Sequence, residues 1–259
     1  MRRLVGPAAA LVLWLGGAGA ARGEHLVVAL STYQVKINSS FVGTDLVLFG
    51  SVERDDQSAT RAAPYDIVVR VVGPPDTEVT RRKDRVLGIW INTESRVFLD
   101  APGFVAVLSN RPFNEIAGPE VLKRYRIGLE NMVFPQVISG DIGDVPYNDP
   151  FRMAFLRINR EQRLYREVND AVTFLTPTLF RTAVRVPANV PVGDYQVDVS
   201  LFADGVMLST SRSGIDIQKV GFEQFIASSA HDHGVLYGLA TAGLALLTGW
   251  FASVVFRRD

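Results

Sequence analysis

The sequence predicts a mainly β fold followed by one C-terminal transmembrane helix. Short runs of β-branched and aromatic residues, separated by turn residues, recur before residue 112 and again after residue 170. The stretch 234–256 carries no charge and exceeds the ~20 apolar residues that cross a bilayer. Because the chain has no cysteine, disulfides and zinc–thiolate sites are excluded.

Residues 1–20 are typical of a signal peptide. Arg2 and Arg3 form a positive n-region, residues 4–15 are apolar, and residues 18–20 are the small residues that a signal peptidase accepts. We expect cleavage after Ala20, with Ala21 or Gly23 as alternative sites. An uncleaved anchor helix is the competing interpretation, although the apolar stretch is shorter than a membrane span requires.

Residues 21–112 are predicted to form a β-sandwich region. Strands at ~8–12-residue spacing are typical of sandwiches and barrels, and we favour an immunoglobulin-like sandwich. Gly43, Gly73-Pro74-Pro75-Asp76 and Ala101-Pro102-Gly103 separate several of the strands. The predicted strands are 26–30, 35–37, 46–52, 67–72, 86–91, 97–99 and 105–108.

A helical middle segment is predicted for residues 113–170. Gly118-Pro119 opens a helix-compatible run to Arg126, which Gly128 is expected to cap. Asp149 is the predicted N-cap of an amphipathic helix over 150–168, with proline at its first position. Its expected buried face carries Phe151, Ala154, Phe155, Ile158, Gln162 and Tyr165, and its outer face carries Arg152, Arg157, Arg160, Arg163 and Arg166.

Residues 171–221 are predicted to form a second β region. Between Pro191 and Asp204, apolar and polar residues alternate with a period of two, which indicates a strand with one buried face and one mostly polar face. The expected buried residues are Tyr195, Val197, Val199, Leu201 and Ala203. Asp204-Gly205 follows where a two-residue type I′ hairpin turn is expected.

The C-terminal end predicts a juxtamembrane segment over 222–233, a transmembrane helix over 234–256 and a cytoplasmic tail over 257–259. Tyr237 and Trp250 lie toward opposite ends of the span, where interfacial aromatics are common. Arg257 and Arg258 favour a cytoplasmic C-terminus by the positive-inside rule. The lipid bilayer is therefore one expected partner of the chain.

Small side chains recur at three- and four-residue steps along the predicted span. They define the small-residue stripe: Gly238, Ala242, Ala245, Gly249 and Ala252. Small residues let two helix backbones approach closely in lipid, although they are frequent in any transmembrane helix. The stripe predicts contact with a polytopic membrane protein or self-association of this chain.

Ionisable residues supply few candidate sites. His231, Asp232 and His233 form the densest group of metal-ligand side chains, which holds a metal only if the backbone is extended. A polar collar beside the bilayer is the alternative, and no cofactor is predicted. The run Arg81-Arg82-Lys83-Asp84-Arg85 suits an anion or acidic headgroups, or the solvated end of a hairpin.

Several functional classes find no support in the sequence. The formal net charge is zero, so the basic surface that nucleic acids require is not expected. All three histidines lie at the ends of the exported part, away from any serine–carboxylate pair that would complete a triad. Paired carboxylates for a hydrolase remain open, because Asp and Glu are scattered along the chain.

Several phrases of the sequence resemble a known family. They are Phe41-Val42-Gly43-Thr44-Asp45-Leu46-Val47-Leu48-Phe49-Gly50, Ser109-Asn110-Arg111-Pro112, Tyr125-Arg126-Ile127-Gly128-Leu129 and Val190-Pro191-Val192-Gly193-Asp194-Tyr195. With the signal peptide and terminal span, they resemble a family of uncharacterised alphaproteobacterial single-pass transmembrane proteins. The resemblance implies a bacterial inner-membrane protein with a periplasmic domain, and association with permeases similar to the sulfite-exporter type.

The sequence therefore predicts a non-enzymatic, membrane-anchored periplasmic accessory protein that contacts a membrane permease. Two alternatives stay open at this level. One is a periplasmic ligand-binding or sensory ectodomain for a small anion. The other is a hydrolase with an acidic site that no motif reveals.

Overall fold

The computed structural model describes residues 24–53, 64–138, 141–221, 226 and 229–255. The predicted signal peptide (1–20) and tail (257–259) lie outside the described residues. The strands are β1 (His25–Leu30), β2 (Gln34–Ile37), β3 (Thr44–Glu53), β4 (Asp66–Val72), β5 (Pro75–Val86), β6 (Ile89–Pro102), β7 (Val105–Ser109), β8 (Gln136–Ile138), β9 (Asp141–Gly143), β10 (Tyr165–Val168), β11 (Val172–Phe174), β12 (Leu179–Val186), β13 (Gly193–Ala203) and β14 (Val206–Lys219). The helices are α1 (Phe113–Ile116), α2 (Pro119–Arg124), α3 (Pro150–Glu161) and α4 (Gly234–Val255), and Leu129–Asn131 is a 3₁₀ turn.

The strands form three sheets, and the mainly β class is confirmed. Their orders are β1-β3-β12-β11, β10-β7-β4-β13-β14-β2 and β5-β6-β8-β9. Neighbouring strands are antiparallel except at the two edges of the six-stranded sheet, where β10 joins β7 and β2 joins β14 in parallel. Strands from both predicted β regions share sheets, since β12 pairs with β3 and β13 pairs with β4. The immunoglobulin-like form of the sandwich stays a prediction.

The larger core lies between the β1-β3-β12-β11 sheet and the six-stranded sheet. Period-two alternation aims one side chain in two from each strand into this layer. On β13 the five residues predicted to be buried are all buried. They meet Leu46, Leu48 and Phe180 from the opposite sheet. Gly50 lies directly under the Phe180 ring, where a Cβ atom would come within 2.2 Å of that ring.

A second core covers the other face of the six-stranded sheet. Val105 and Val107 of β7, and Phe202 of β13, face it. Helices α1 to α3 and β6 supply the opposing side chains, including Phe155 and Phe98, whose rings stack with centroids 4.4 Å apart. The face of β13 that the alternation predicts to be mostly polar is therefore buried at its C-terminal end.

Helix α3 is shorter than predicted, and the expected helix over 162–168 is wrong. Arg163 adopts a left-handed conformation at φ +63°, and Leu164 N donates to Asn159 O at 2.9 Å. This pairing is the Schellman motif, which ends a helix and is usually built on glycine. The chain then forms β10 beside β7. An arginine at the glycine position left no stop signal in the sequence.

The predicted faces of α3 are also partly wrong. Arg152, Phe155 and Leu156 are its buried residues, so the buried face is rotated toward the expected outer face. The predicted cap is confirmed: the Asp149 carboxylate accepts from the N–H groups of Phe151 and Arg152, both at 3.0 Å. The helix cap can thus be predicted from the local sequence. Which side of α3 is buried depends on tertiary packing, which the local sequence does not show.

Two shorter predictions are corrected in the same way. Helix α2 ends before Gly128, because Arg126 takes the left-handed position at φ +53° and Ile127 N donates to Leu122 O at 2.9 Å. The predicted strand 86–91 is a hairpin: Leu87 and Gly88 form the turn that joins β5 to β6. Apolar residues at a turn resemble a buried strand when only composition is considered.

Candidate functional site

The outer half of the β5–β6 hairpin pairs with no third strand among the described residues. In the described part of the chain, β8 pairs with β6 only at Val97 and Phe98, so the hairpin beyond Arg96 is a two-stranded ribbon. The extra residue Thr93 forms a bulge opposite the Arg82–Lys83 step. Most side chains of the ribbon are exposed on both faces.

A groove of about 530 Å³ lies between this hairpin and the N-terminal half of α3. Its charged lining comprises the cations Arg81, Arg82, Lys83, Arg96 and Arg157 and the acids Glu94 and Asp149. Arg96 lies over the Phe151 ring, with the guanidinium carbon 5.0 Å from the centroid. The cations of this lining outnumber its two acids, so the groove presents an excess of positive charge.

The cationic groove can bind an anion, because guanidinium groups offer paired N–H donors to carboxylate, sulfate or phosphate oxygens. Arg82 is partly engaged, since its side chain lies 3.4 Å from Asp84 and 3.8 Å from Glu94. The charged run 81–85, interpreted from the sequence as an anion site or as the solvated end of a hairpin, lies in the exposed part of the hairpin, and its first three residues line the groove. Arg157 on α3 contributes from the opposite wall.

Arg152 fixes the α3 side of this region from within the core. It is only 2% exposed, and its guanidinium donates to the Met132 carbonyl at 2.6 Å and to the Val145 carbonyl at 2.8 Å. It also donates to Asp144 at 3.1 Å. Its two Nη groups make these bonds, whereas Nε has no partner among the described residues. Because the guanidinium is buried and paired with Asp144, this residue has a structural role and does not line the groove.

Asp66 forms the first of two acid–arginine clusters in the β body. Its buried carboxylate accepts from Arg111 Nε at 2.6 Å and from Asn110 Nδ2 at 3.0 Å, with a second short bond from Arg111 Nη2. Asn110 in turn accepts from the backbone N–H of Ile67 at 2.8 Å. The hydrogen bond with Asp66 raises the pKa of the Arg111 guanidinium.

Asp198 on β13 forms the second cluster. It accepts from Arg70 Nη2 at 2.7 Å and from Arg212 Nε at 2.9 Å, one from each neighbouring strand, and from Gln196. Burial by itself raises the pKa of the Asp198 carboxyl, but these hydrogen bonds outweigh it and hold the pKa below its usual range. Both carboxylates are saturated by donors, which suits structural anchors better than acid–base catalysts.

Two buried tyrosines act as structural donors. Tyr165 Oη donates to the Pro102 carbonyl, and Tyr195 Oη donates to the Pro191 carbonyl, both at 2.6 Å. Burial raises the pKa of each phenol, so both stay neutral near pH 7. The bond from Tyr195 to the backbone four residues upstream is a contact of the tyrosine-corner kind.

The predicted metal candidates lie just before α4. His231 and Asp232 are in a helical turn at 229–232, and His233 N donates to the Ser229 carbonyl at 3.1 Å. In a helix, residues two apart do not face each other, so this backbone points the two imidazoles in different directions. No group of three or more His, Asp or Glu side chains suited to a metal is found among the described residues.

Helix α4 brings the small-residue stripe together. It spans 22 residues, is long and apolar enough to cross a membrane, and has no buried residue. At 100° per residue, Gly238, Ala242, Ala245, Gly249 and Ala252 fall within one narrow arc. A Cβ atom added at Gly238 or Gly249 meets no described atom within 4 Å. The interface role of the stripe stays a prediction.

Sequence reasoning missed Arg152, the two acid–arginine clusters and the cationic groove. Asp66 and Arg111 lie 45 residues apart, and Asp198 and Arg70 lie 128 apart, so only sheet pairing brings them together. No local signal marks Asp198 as buried, since an acid on the polar face of an alternating strand is ordinary. None marks Arg152 either, since arginine is ordinary on an amphipathic helix.

A β body with three sheets, followed by one exposed apolar helix of bilayer length, defines a candidate single-span membrane protein. The chain belongs to the alphaproteobacterial family described as "Putative transmembrane protein (Alph_Pro_TM)", whose model matches residues 25–258. No curated protein matches the chain. The resemblance stated from the sequence is thereby confirmed, and the family is one of unknown function.

The phrases that carried the resemblance have structural roles in the β body. Gly43 is at φ +107° against the Val186 carbonyl, a position that disfavours any side chain. Asn110 and Arg111 hold Asp66, and Tyr195 closes on Pro191. These contacts account for the fold that the phrases specify, and none of them forms a reactive centre.

Proposed function

We propose that this chain is a non-enzymatic accessory protein of the bacterial inner membrane, with its β body in the periplasm and its C-terminus in the cytoplasm. The observation that carries the proposal is α4, whose 22 residues are apolar and have no buried member. An exposed helix of this composition is stable in lipid and unfavourable in water. Arg257 and Arg258 support the orientation by the positive-inside rule.

Reporter fusions test the orientation. A reporter that is active only outside the cytoplasm should work when fused after Gly221 and fail when fused after Asp259. A reporter active only in the cytoplasm, fused at the same two residues, should give the reverse pattern. Activity of one reporter at both positions would contradict a single span.

The partner proposed for this accessory role is a polytopic membrane protein, with a permease similar to the sulfite-exporter type as the first candidate. The support is the small-residue stripe on α4, where close backbone approach replaces the hydrophobic drive that lipid removes. Self-association through the same stripe is the alternative. Both place a second helix against Gly249 and Ala242.

Co-purification from mild detergent, with mass spectrometry, tests the partner. Gly249→Leu and Ala242→Leu each add bulk to the stripe and should release the partner or the second copy. Leu246→Ala is the control, because Leu246 lies off the stripe and the change removes bulk. Membrane insertion should be unchanged in all three variants. Equal retention of the same proteins in all three would exclude the stripe as the interface.

We propose capture of a small anion as the second candidate function, because the cationic groove favours it. Arg96 and Arg157 line the groove from different elements, and the side chain of Arg157 makes no hydrogen bond or ion pair with the described residues. Guanidinium groups on two walls of a groove of about 530 Å³ suit a sulfate- or phosphate-sized ligand. Such binding is compatible with an accessory role beside an anion permease.

Calorimetric titration of the full chain in detergent with sulfate, sulfite and phosphate tests anion capture. Arg157→Gln should weaken binding by about tenfold, the loss expected for a charge-assisted hydrogen bond of ~1.5 kcal/mol. Arg163→Gln is the matched control, since Arg163 is exposed and lies outside the groove. Equal affinities in the two variants, or no heat with any of the three anions, would contradict this function.

A further inference from the structure

The tip of the β5–β6 hairpin exposes an unusual concentration of apolar side chains. Leu87 is 99% exposed, and Ile89 and Trp90 are 68% and 67% exposed. Val86 and Ile91 flank them and are also exposed. We call these five residues the hairpin tip. Single exposed apolar residues are ordinary, but five within six consecutive positions on a projecting ribbon form a patch that water solvates poorly.

The conformation of Leu87 indicates that folding alone did not select this residue. Leu87 and Gly88 have φ +51° and φ +86°, the two positive values of a type I′ turn. Asn, Asp or Gly is favoured at the first of these positions, and a leucine there costs about 1 kcal/mol. Since Leu87 is almost fully exposed, no packing in the described protein offsets that cost.

Positive charge surrounds the base of the hairpin tip. Arg81, Lys83 and Arg85 alternate along β5 and therefore share one face of the ribbon. Trp90 is paired with Arg85 and lies on the same face. The one acid within 81–91, Asp84, is on the other face, where it accepts from Thr93 and contacts Arg82.

We propose that the hairpin tip inserts into the headgroup region of an anionic phospholipid bilayer. Lys83 lies four residues from Leu87 along β5, about 13 Å at the rise of a strand, and Arg85 lies about 7 Å away. The Arg85 distance lies within the ~5–10 Å to which interfacial segments bury their apolar faces, and Lys83 lies just above that depth, so both cations are placed near the lipid phosphates. Tryptophan is one of the two side chains enriched at the membrane–water interface.

Shape and charge together favour lipid over a second copy of the chain. The hairpin tip is convex, so a protein partner needs a matching pocket, whereas a bilayer deforms around an inserted residue. A second copy would also place the Arg81, Lys83 and Arg85 faces of two hairpins near each other, which like charges disfavour. The proposed contact goes beyond the accessory role, because it adds a membrane contact that α4 does not provide.

Because the chain has no cysteine, a single introduced cysteine reports on the hairpin tip without background. Leu87→Cys carries an environment-sensitive fluorophore in the full chain, reconstituted at one chain per nanodisc. Val42→Cys is the matched control, an exposed apolar residue in the β2–β3 loop. Discs of phosphatidylglycerol are compared with discs of phosphatidylcholine. A blue-shifted, quencher-protected fluorophore at residue 87 in the anionic discs alone is the expected result.

Charge removal sharpens the test. The double variant Arg81→Gln/Lys83→Gln should lower the ratio of inserted to free probe, by about fivefold for each cation removed. Raised salt should act in the same direction. A water-exposed probe in anionic discs would overturn the proposal. So would equal protection in neutral discs, or protection only in discs that hold two chains, which would assign the hairpin tip to a second copy.

Discussion

Two long hairpins with the same turn geometry have opposite environments in this protein. The β13–β14 hairpin turns at Asp204 and Gly205, with φ +52° and +78°. The β5–β6 hairpin turns at Leu87 and Gly88, with φ +51° and +86°. The first lies within the six-stranded sheet between two cores, and the second projects with both faces exposed. Turn geometry therefore fixes the pairing of two strands and leaves open what their faces contact.

The difference between the hairpins originates in their strand sequences. β13 places an apolar residue at every second position, so one face becomes part of the larger core. β5 carries a charge at every position from Arg81 to Arg85, and neither face can be buried without leaving charges unpaired. The apolar residues of the second hairpin are concentrated at its tip, where no described element covers them. The β13–β14 hairpin is therefore buried and the β5–β6 hairpin projects, because their apolar residues are distributed differently along the strands.

The largest expected effect compares the same substitution in the two hairpins. Val199→Asp places a carboxylate at a residue that is 1% exposed, between the two sheets of the larger core. We expect the free energy of unfolding to fall by several kcal/mol, about 3–5, because the charge has no partner there. Val86→Asp, at a residue that is 44% exposed, should change it by less than about 0.5 kcal/mol.

Chemical denaturation of the full chain in detergent, followed by the β signal in circular dichroism, measures both changes. The spectrum before denaturation should be dominated by β structure with a helical minority. Similar losses of unfolding free energy in the two variants would mean that the β5–β6 hairpin is packed in solution. That result would contradict the difference in burial between the two hairpins.

A smaller effect concerns the charges of the two hairpins. Asp198→Asn removes the carboxylate that accepts hydrogen bonds from Arg70 and Arg212. We expect the free energy of unfolding to fall by about 1–3 kcal/mol at pH 7. Glu94→Gln, in an exposed pair 3.8 Å from Arg82, should lose less than about 0.5 kcal/mol.

The Asp198 effect should also depend on pH with a definite sign. The folded-state pKa lies below the ordinary value of 3.8, so the carboxylate contributes stability above that value. The contribution is lost as pH falls through the folded-state pKa. The difference in the free energy of unfolding between wild type and Asp198→Asn should therefore be largest above about pH 4. It should shrink toward zero in stronger acid. A difference that grows on acidification would contradict the assigned hydrogen bonds.

The same contrast explains what the sequence predicted. The alternation of β13, the Asp204-Gly205 turn and the Asp149 cap were confirmed because each depends on neighbours within a few residues. The β5–β6 turn was missed because Leu87 replaces the usual turn residue, and the ends of α2 and α3 were missed because Arg126 and Arg163 replace glycine.

The cationic groove and the acid–arginine clusters needed contacts that no local pattern records. Asp198 meets Arg70 across the sheet, at a sequence separation of 128 residues. The groove exists only because α3 packs against the ribbon of β5 and β6. From the sequence, the charged run 81–85 was interpreted as an anion site or as the solvated end of a hairpin, and Arg157 only as part of the outer face of a docked helix.

The smallest expected effect is a gain in stability at the hairpin tip. Leu87→Asn replaces a residue that disfavours positive φ with one that accepts it, so the free energy of unfolding should rise by up to about 1 kcal/mol. Gly88→Ala and Gly205→Ala are matched controls, because each glycine has positive φ and open space around it. Each should cost about 1 kcal/mol, which would show that the two turns are equivalent and that only Leu87 is anomalous. A loss of stability in Leu87→Asn would mean that Leu87 packs against protein in solution. A gain in stability together with a loss of nanodisc insertion would show that folding favours asparagine at this position, whereas membrane contact favours leucine.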